Sequence, residues 1–152
     1  MIHLIVGNTG SGKTTYATEL KKNNCGIIFS IDKWNKTLFL ADKKPNDGLE
    51  WFLERINRAE EMIMELVIQL ENSKTDSILD LGLSKFENRE KFRKFAKLNH
   101  YELTIHFLDI SKETRLERVQ KRNSEKGATF QFKVSHEDFE FMESWFEIPT
   151  EK

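Results

Sequence analysis

Cysteine is nearly missing from this chain. Cys25 stands alone, which excludes an intramolecular disulfide or a thiolate metal cluster and fits a reducing compartment. A lone cysteine of this kind is expected to be a small, buried or half-buried apolar residue. An excess of either charge is missing too: Lys+Arg 24 against Asp+Glu 25 leaves a formal net charge of -1. No global field draws the chain to nucleic acid or an anionic membrane, so any basic site must be local. There is no apolar run of ~18 residues and no basic segment ahead of the first apolar stretch. Neither a signal peptide nor a membrane span is expected, and the expected compartment is the cytoplasm. Internal repeats and low-complexity tracts are also absent. The 152 residues suit a single domain, 1–152, large enough to bury a core.

What is present is an alternation of short apolar runs and helical patterns. "IHLIV" at 2–6 is β-branched, apolar and closed by glycine, as in a buried parallel strand. A helix is expected from Lys13 to about Asn23, then a second strand at 26–32, "GIIFSID". "KKPNDG" at 43–48 reads as a loop, with Asp47 and Glu50 as a capping box for the amphipathic helix 49–72. "SILDLGL" at 77–83 is a third strand; Ser84 and Glu87 offer a capping box to a helix over 87–99. "YELTIHFLD" at 101–109 is a fourth strand, followed by helical patterns at 112–123 and 135–146. Strands separated by helices predict an α/β, three-layer fold: a parallel sheet of four to five strands covered by helices on both faces. Ligands in such sheets lie at the carboxyl ends of the strands.

Gly7-Asn8-Thr9-Gly10-Ser11-Gly12-Lys13-Thr14 satisfies G-x-x-x-x-G-K-[ST] between a strand and a helix, the context a phosphate-binding loop requires. Glycines let backbone N–H groups turn toward a phosphate, the helix start adds its positive end, and Lys13 adds a point charge. Thr14 offers a hydroxyl to magnesium, and Thr15 extends the candidate nucleotide set. A chance match in a chain of this length is expected on the order of 1% of the time.

A phosphate loop leaves the reaction open. Asp80 ends "ILD" where a magnesium-side carboxylate would stand, but Leu81-Gly82 follows it with no glutamate to activate water. No guanine-reading N-K-x-D follows a strand. Both facts argue against a motor ATPase and a GTPase switch. Asp32 ends "SID" one crossover from the loop, where it is either a general base for an incoming hydroxyl or an N-cap. Arg115, Arg118 and Arg122 recur at i, i+3 and i+7, either as a solvated stripe or as a lid on the phosphates. Trp34 is either an apolar wall for an acceptor or core packing. His3, His100, His106 and His136 show no metal-ligand spacing.

"GNTGSGKTTYA", "FSID", "ILDLGLSKFENREKFRKFAK", "LDISKETRLERVQKRN" and "FEFMESWFEIP" together resemble a family of small P-loop kinases. Its members are related to the kinase domain of phage polynucleotide kinase, to chloramphenicol phosphotransferase and to zeta-type toxins. The resemblance runs over nearly the whole chain. It implies a P-loop NTPase fold with a short lid, like that of nucleotide kinases, binding ATP and magnesium. It also implies Asp32 as base, Lys13 and Thr14 on phosphates and magnesium, Arg118 and Arg122 as lid residues, and Asp80 near the metal or acceptor. "FEIP" would pack near the adenine. The polynucleotide kinases carry an arginine three residues after the base, whereas this chain has Asn35. The implied partners are ATP and a hydroxyl-bearing acceptor, a small molecule or nucleotide-like, of unspecified identity. The implied assembly is a monomer or homodimer. A nucleotide-binding regulatory module without phosphotransfer, or a toxin-like kinase acting on a sugar nucleotide or RNA end, remain alternatives.

Overall fold

The computed structural model describes residues 1–151; Lys152 lies outside the described residues. Strands β1 (Ile2–Val6), β2 (Gly26–Ser30), β3 (Asp76–Asp80) and β4 (Leu103–Phe107) form one sheet in the order β2-β3-β1-β4. Every pairing is parallel. The strand bearing the glycine loop is therefore central, between β3 and β4. Helices α1 (Lys13–Asn23), α2 (Ile31–Trp34), α3 (Leu49–Asn72), α4 (Phe86–Leu98), α5 (Lys112–Glu125) and α6 (His136–Trp145) complete the described chain. After α2 the backbone runs on through a π-helical turn at Asn35–Phe39 and a 3-10 turn at Leu40–Asp42.

The period-2 alternation of β1 sorts its side chains between two layers. Ile2, Leu4 and Val6 pack with Ile63 and Val67 of α3 and Phe92 and Ala96 of α4. Ile5 packs on the opposite face with Ala17 of α1, flanked by Tyr16 and Leu20. Full burial of each such aliphatic side chain stabilises by about 1.5–3 kcal/mol. This is the expected three-layer α/β arrangement, with four strands. A third cluster, Val119, Val134 and Phe139, joins α5 to α6 apart from the sheet.

Several local expectations are corrected. The second strand stops at Ser30, two residues early, because the Ser30 hydroxyl accepts the Lys33 N–H at 3.5 Å and starts a helical turn. Asp32 is thus inside that turn and Ser30 is its cap. Neither expected capping box forms. Asp47 accepts the Lys44 N–H at 2.7 Å and leaves Gly48 as the N-cap of α3 without a side-chain bond. The Ser84 hydroxyl turns to the Gly82 carbonyl at 2.6 Å. The start of α4 is instead capped from a distance: Glu147 accepts the Phe86 N–H at 2.7 Å, and Lys85 donates to the same carboxylate at 3.1 Å. Cys25 is exposed in the turn between α1 and β2, not buried.

Glu60 of α3 is a buried carboxylate, 3% exposed. Lys91 of α4 donates to it at 2.9 Å and also to Asn57 at 2.9 Å. Burial raises the Glu60 pKa, and the Lys91 ammonium only partly offsets this. A raised folded-state pKa means that the protonated form is the cheaper one to bury, so stability falls as pH rises through that pKa. Lys91→Met is therefore expected to destabilise the fold by on the order of 2 kcal/mol at neutral pH, between the exposed and fully buried limits. The loss should shrink toward acidic pH as Glu60 takes up a proton. Urea unfolding of both proteins at several pH values measures this.

Candidate active site

The glycine loop leaves β1 and enters α1 through two residues in the left-handed region, Gly10 at φ 81° and Gly12 at φ 94°. A side chain at either position would be strained. Space adds a second demand: a Cβ on Gly10 would lie 2.5 Å from the Arg115 carbonyl oxygen and 3.0 Å from Val119 Cγ2. The backbone of α5 therefore rests directly on the loop.

Asn8 uses both ends of its side chain within the protein. Its oxygen accepts the Thr9 N–H at 2.7 Å and its amide donates to Glu143 Oε1 at 2.7 Å. Glu143 also receives both terminal nitrogens of Arg115, Nη1 at Oε1 and Nη2 at Oε2. Arg115 donates further to the Ile110 carbonyl at 2.9 Å and the Thr9 carbonyl at 3.2 Å. Arg115 is thus a buried brace holding the loop, α5 and α6 together, with four hydrogen bonds from its guanidinium to the protein. Sequence reasoning missed Glu143. Its only signal was a carboxylate inside the otherwise aromatic stretch "FEFMESWF".

The other two arginines behave differently. Arg118 Nη1 reaches the Ser11 carbonyl at 3.2 Å, beside the loop's last turn. Arg122 has a buried Nε without a hydrogen-bond partner, and its charge acts on both Lys13 and Asp32. Rather than one solvated stripe, the three arginines divide into a brace and two groups at the loop.

Lys13 folds back so that Nζ donates to the Gly7 carbonyl at 2.8 Å and the Asn8 carbonyl at 3.4 Å. Thr14 Oγ1 donates to Asp80 Oδ2 at 2.8 Å, which joins the two candidate magnesium-side residues. Burial lowers the Lys13 pKa against the attraction of Asp80 and Asp32. Burial raises Asp32, with Lys13 opposing and Asp80 adding to the rise. Asp80 is raised by burial as well, against Lys13 and the Thr14 hydrogen bond. The Asp32 residue as a whole is exposed to solvent. Lys13, Asp32, Asp80 and Arg122 thus share one electrostatic neighbourhood. Thr15 is exposed on α1. Ser11 Oγ is buried without a partner, and a Cβ on Gly7 would meet it at 2.4 Å.

Trp34 packs edge-on against Phe29 with ring centroids 6.0 Å apart, joining the core. His3 and His106 meet across adjacent strands at 3.0 Å, with Tyr16 on His106 at 2.8 Å. Among the described residues, no group of three or more His, Cys, Asp or Glu side chains could hold a metal ion. The oxygen pair Thr14 and Asp80 nevertheless suits magnesium, a hard cation that keeps waters and phosphate oxygens as its other ligands. Beside the loop, Asn8, Phe107, Asp109, Arg115, Phe146 and Ile148 line a cleft of about 160 Å³. Phe146 stacks on Phe107 there, while Glu147 is turned away to cap α4. A larger hollow of about 470 Å³ between α4 and β4 holds none of the loop's groups.

No curated protein matches the chain. Solved structures match its fold. Kti12 of Chaetomium thermophilum in complex with ADP-AlF3 is 17% identical, with 99% of this chain and 82% of that chain covered at a TM-score of 0.73. APS kinase CysC of Mycobacterium tuberculosis, in complex with AMPPNP and APS, is 18% identical, with 99% and 83% covered at 0.65. A chain of the Pnkp1/Rnl/Hen1 RNA repair complex is 20% identical over 96% of this chain at 0.64. This chain spans under half of that one, 46%. At these identities the likeness is one of fold, and the fold is that of P-loop kinases. The family model described as AAA domain matches residues 2–149, nearly end to end, and the chain belongs to that family of P-loop proteins.

Proposed function

We propose that this protein is an ATP-dependent kinase that moves the γ-phosphoryl group of ATP to a hydroxyl of a small-molecule or nucleotide-like acceptor. The observation that carries the reading is Asp32: a carboxylate with its pKa raised by burial, within the fields of Lys13, Arg122 and Asp80 at the mouth of the phosphate loop. A carboxylate so placed is suited to accept the proton of an incoming hydroxyl. Support also comes from the nucleotide analogues named with the Kti12 and APS kinase structures.

In this reading the backbone N–H groups from Gly10 to Thr15 cradle the β- and γ-phosphates. Lys13 leaves the Gly7 carbonyl to meet them. Thr14 and Asp80 would hold magnesium, which when bound neutralises phosphate charge. The acceptor oxygen forms a bond to the γ-phosphorus as the bond to the β,γ-bridging oxygen breaks, and ADP leaves. The hydroxyl proton passes to Asp32. Arg118 and Arg122 neutralise charge on the transferred group.

Asp32→Asn is expected to keep nucleotide affinity and to lose about 10²–10⁴-fold in transfer rate. A nucleotide-binding module without phosphotransfer would have no Asp32-dependent transfer to lose, so the comparison separates the two. Arg122→Ala should lower kcat by about 10²–10³-fold with a much smaller change in the KM for ATP. The base must be ionised to act, and its pKa is raised, so kcat/KM for the acceptor should fall with decreasing pH on an acid limb above the usual carboxylate value of about 4. A limb at or below that value, measured in steady-state assays across pH, would count against Asp32 as the base.

A further inference from the structure

Four side chains that the phosphotransfer steps do not use form one hydrogen-bonded chain across the sheet: Tyr16 of α1, His106 of β4, His3 of β1 and Asp76 of β3. Tyr16 Oη meets His106 Nδ1 at 2.8 Å, His106 Nε2 meets His3 Nδ1 at 3.0 Å, and His3 Nε2 meets Asp76 Oδ2 at 3.4 Å. Beyond Asp76 stand the Met1 amino group, 3.1 Å from Oδ1, and Glu71 of α3, 2.7 Å from that amine. Tyr16 lies in the opening turn of α1, where its N–H bonds the Gly12 carbonyl of the phosphate loop at 2.9 Å.

The carboxylate at one end sets the order of protons along this chain. Burial raises the Asp76 pKa, but hydrogen bonds from the Met1 amine and His3 outweigh it and hold the carboxyl below its usual value. An ionised carboxylate only accepts, so His3 Nε2 carries the hydrogen. A neutral His3 then accepts at Nδ1 from His106 Nε2–H, and a neutral His106 accepts at Nδ1 from the Tyr16 hydroxyl. One added proton on the imidazole pair takes away the acceptor that Tyr16 uses. A second places N–H on both sides of the 3.0 Å contact, and that bond must part. His3 is 5% exposed, and burial, then the charge of His3, lower the His106 pKa from its ordinary value.

We infer that this imidazole pair is an acid-sensitive latch between the sheet and the phosphate-binding helix, closed while both rings are neutral and released by protonation, so that nucleotide affinity falls on acidification. The inference needs nucleotide binding at the loop but not phosphoryl transfer. Its sign follows from the resistance of the folded pair to protons: the latch is intact above the usual histidine value of about 6.5 and is lost as pH falls below it. The effect is modest because Ile5, Ala17 and Ile78 still seat α1 when the latch opens.

The test titrates ATP with magnesium into the full chain, His106→Gln and Tyr16→Phe between about pH 8 and pH 5.5 by calorimetry. His106→Gln keeps a donor and an acceptor but cannot take a proton. Titration of Lys13, Asp32, Asp80 and ATP itself is common to all three proteins and cancels in their ratios. The affinity of the unaltered chain relative to His106→Gln should fall by about 2–10-fold over this range, the worth of one neutral hydrogen bond. Tyr16→Phe should bind more weakly by a similar factor at pH 8 and lose less on acidification. Nitrogen-15 spectra of the imidazoles at pH 8 should show hydrogen on Nε2 of both His3 and His106. By linkage, saturating ATP should lower the pH at which His106 titrates. A constant ratio to His106→Gln, Tyr16→Phe equal to the unaltered chain at pH 8, or hydrogen on Nδ1 of either ring overturns the latch and spares the kinase reading. So does loss of helical circular dichroism at pH 5.5, which would reduce the effect to acid unfolding. Absence of ATP binding at every pH overturns both.

Discussion

The seat of α5 on the phosphate loop is the constraint from which the rest of the site follows. Gly10 has no side chain, so the Arg115 carbonyl and Val119 come within the space a Cβ would fill. Glu143 then holds that seat in place by accepting from Asn8 of the loop and Arg115 of α5 together. A helix set down so closely carries Arg118 to the Ser11 carbonyl and Arg122 into the field of Asp32. Arg118 and Arg122 are therefore placed by packing at Gly10 and by one half-buried carboxylate, not by their own charge. Charge-assisted hydrogen bonds of the Arg115–Glu143 kind are short and directional, which suits them to fixing an angle between helices.

Burial opposes charge throughout the cleft. It raises Asp32 and Asp80 and lowers Lys13, while each of these groups offsets part of the penalty on the others. Removing one member leaves the remainder less well compensated, so effects of single substitutions here should not add. The same tension explains why the loop's lysine rests on backbone carbonyls. A buried ammonium needs acceptors, and the Gly7 and Asn8 carbonyls supply them.

Much of this was legible in the residues. The helix at 49–72 was readable because its apolar spacing persists over many turns, and the glycine loop because its spacing, strand and helix all agree. The division of labour among three arginines was not. Periodicity put Arg115, Arg118 and Arg122 on related faces, but the roles depend on Glu143, which lies 28 residues from Arg115 and 135 from Asn8. Capping failed for a related reason. Ser84 and Glu87 have the right spacing, yet the far Glu147 takes the Phe86 N–H, and local pattern carries no trace of such a partner.

The central claim is that the bound nucleotide gives its γ-phosphoryl group to a hydroxyl. The most direct measurement follows the label from γ-labelled ATP in the presence of magnesium and a panel of nucleosides, sugars, sugar nucleotides, nucleic-acid ends, aminoglycosides and phenicols. The account predicts label covalently attached to an acceptor at a rate well above its release as inorganic phosphate. Label appearing only as inorganic phosphate, with every acceptor unmodified, would contradict it.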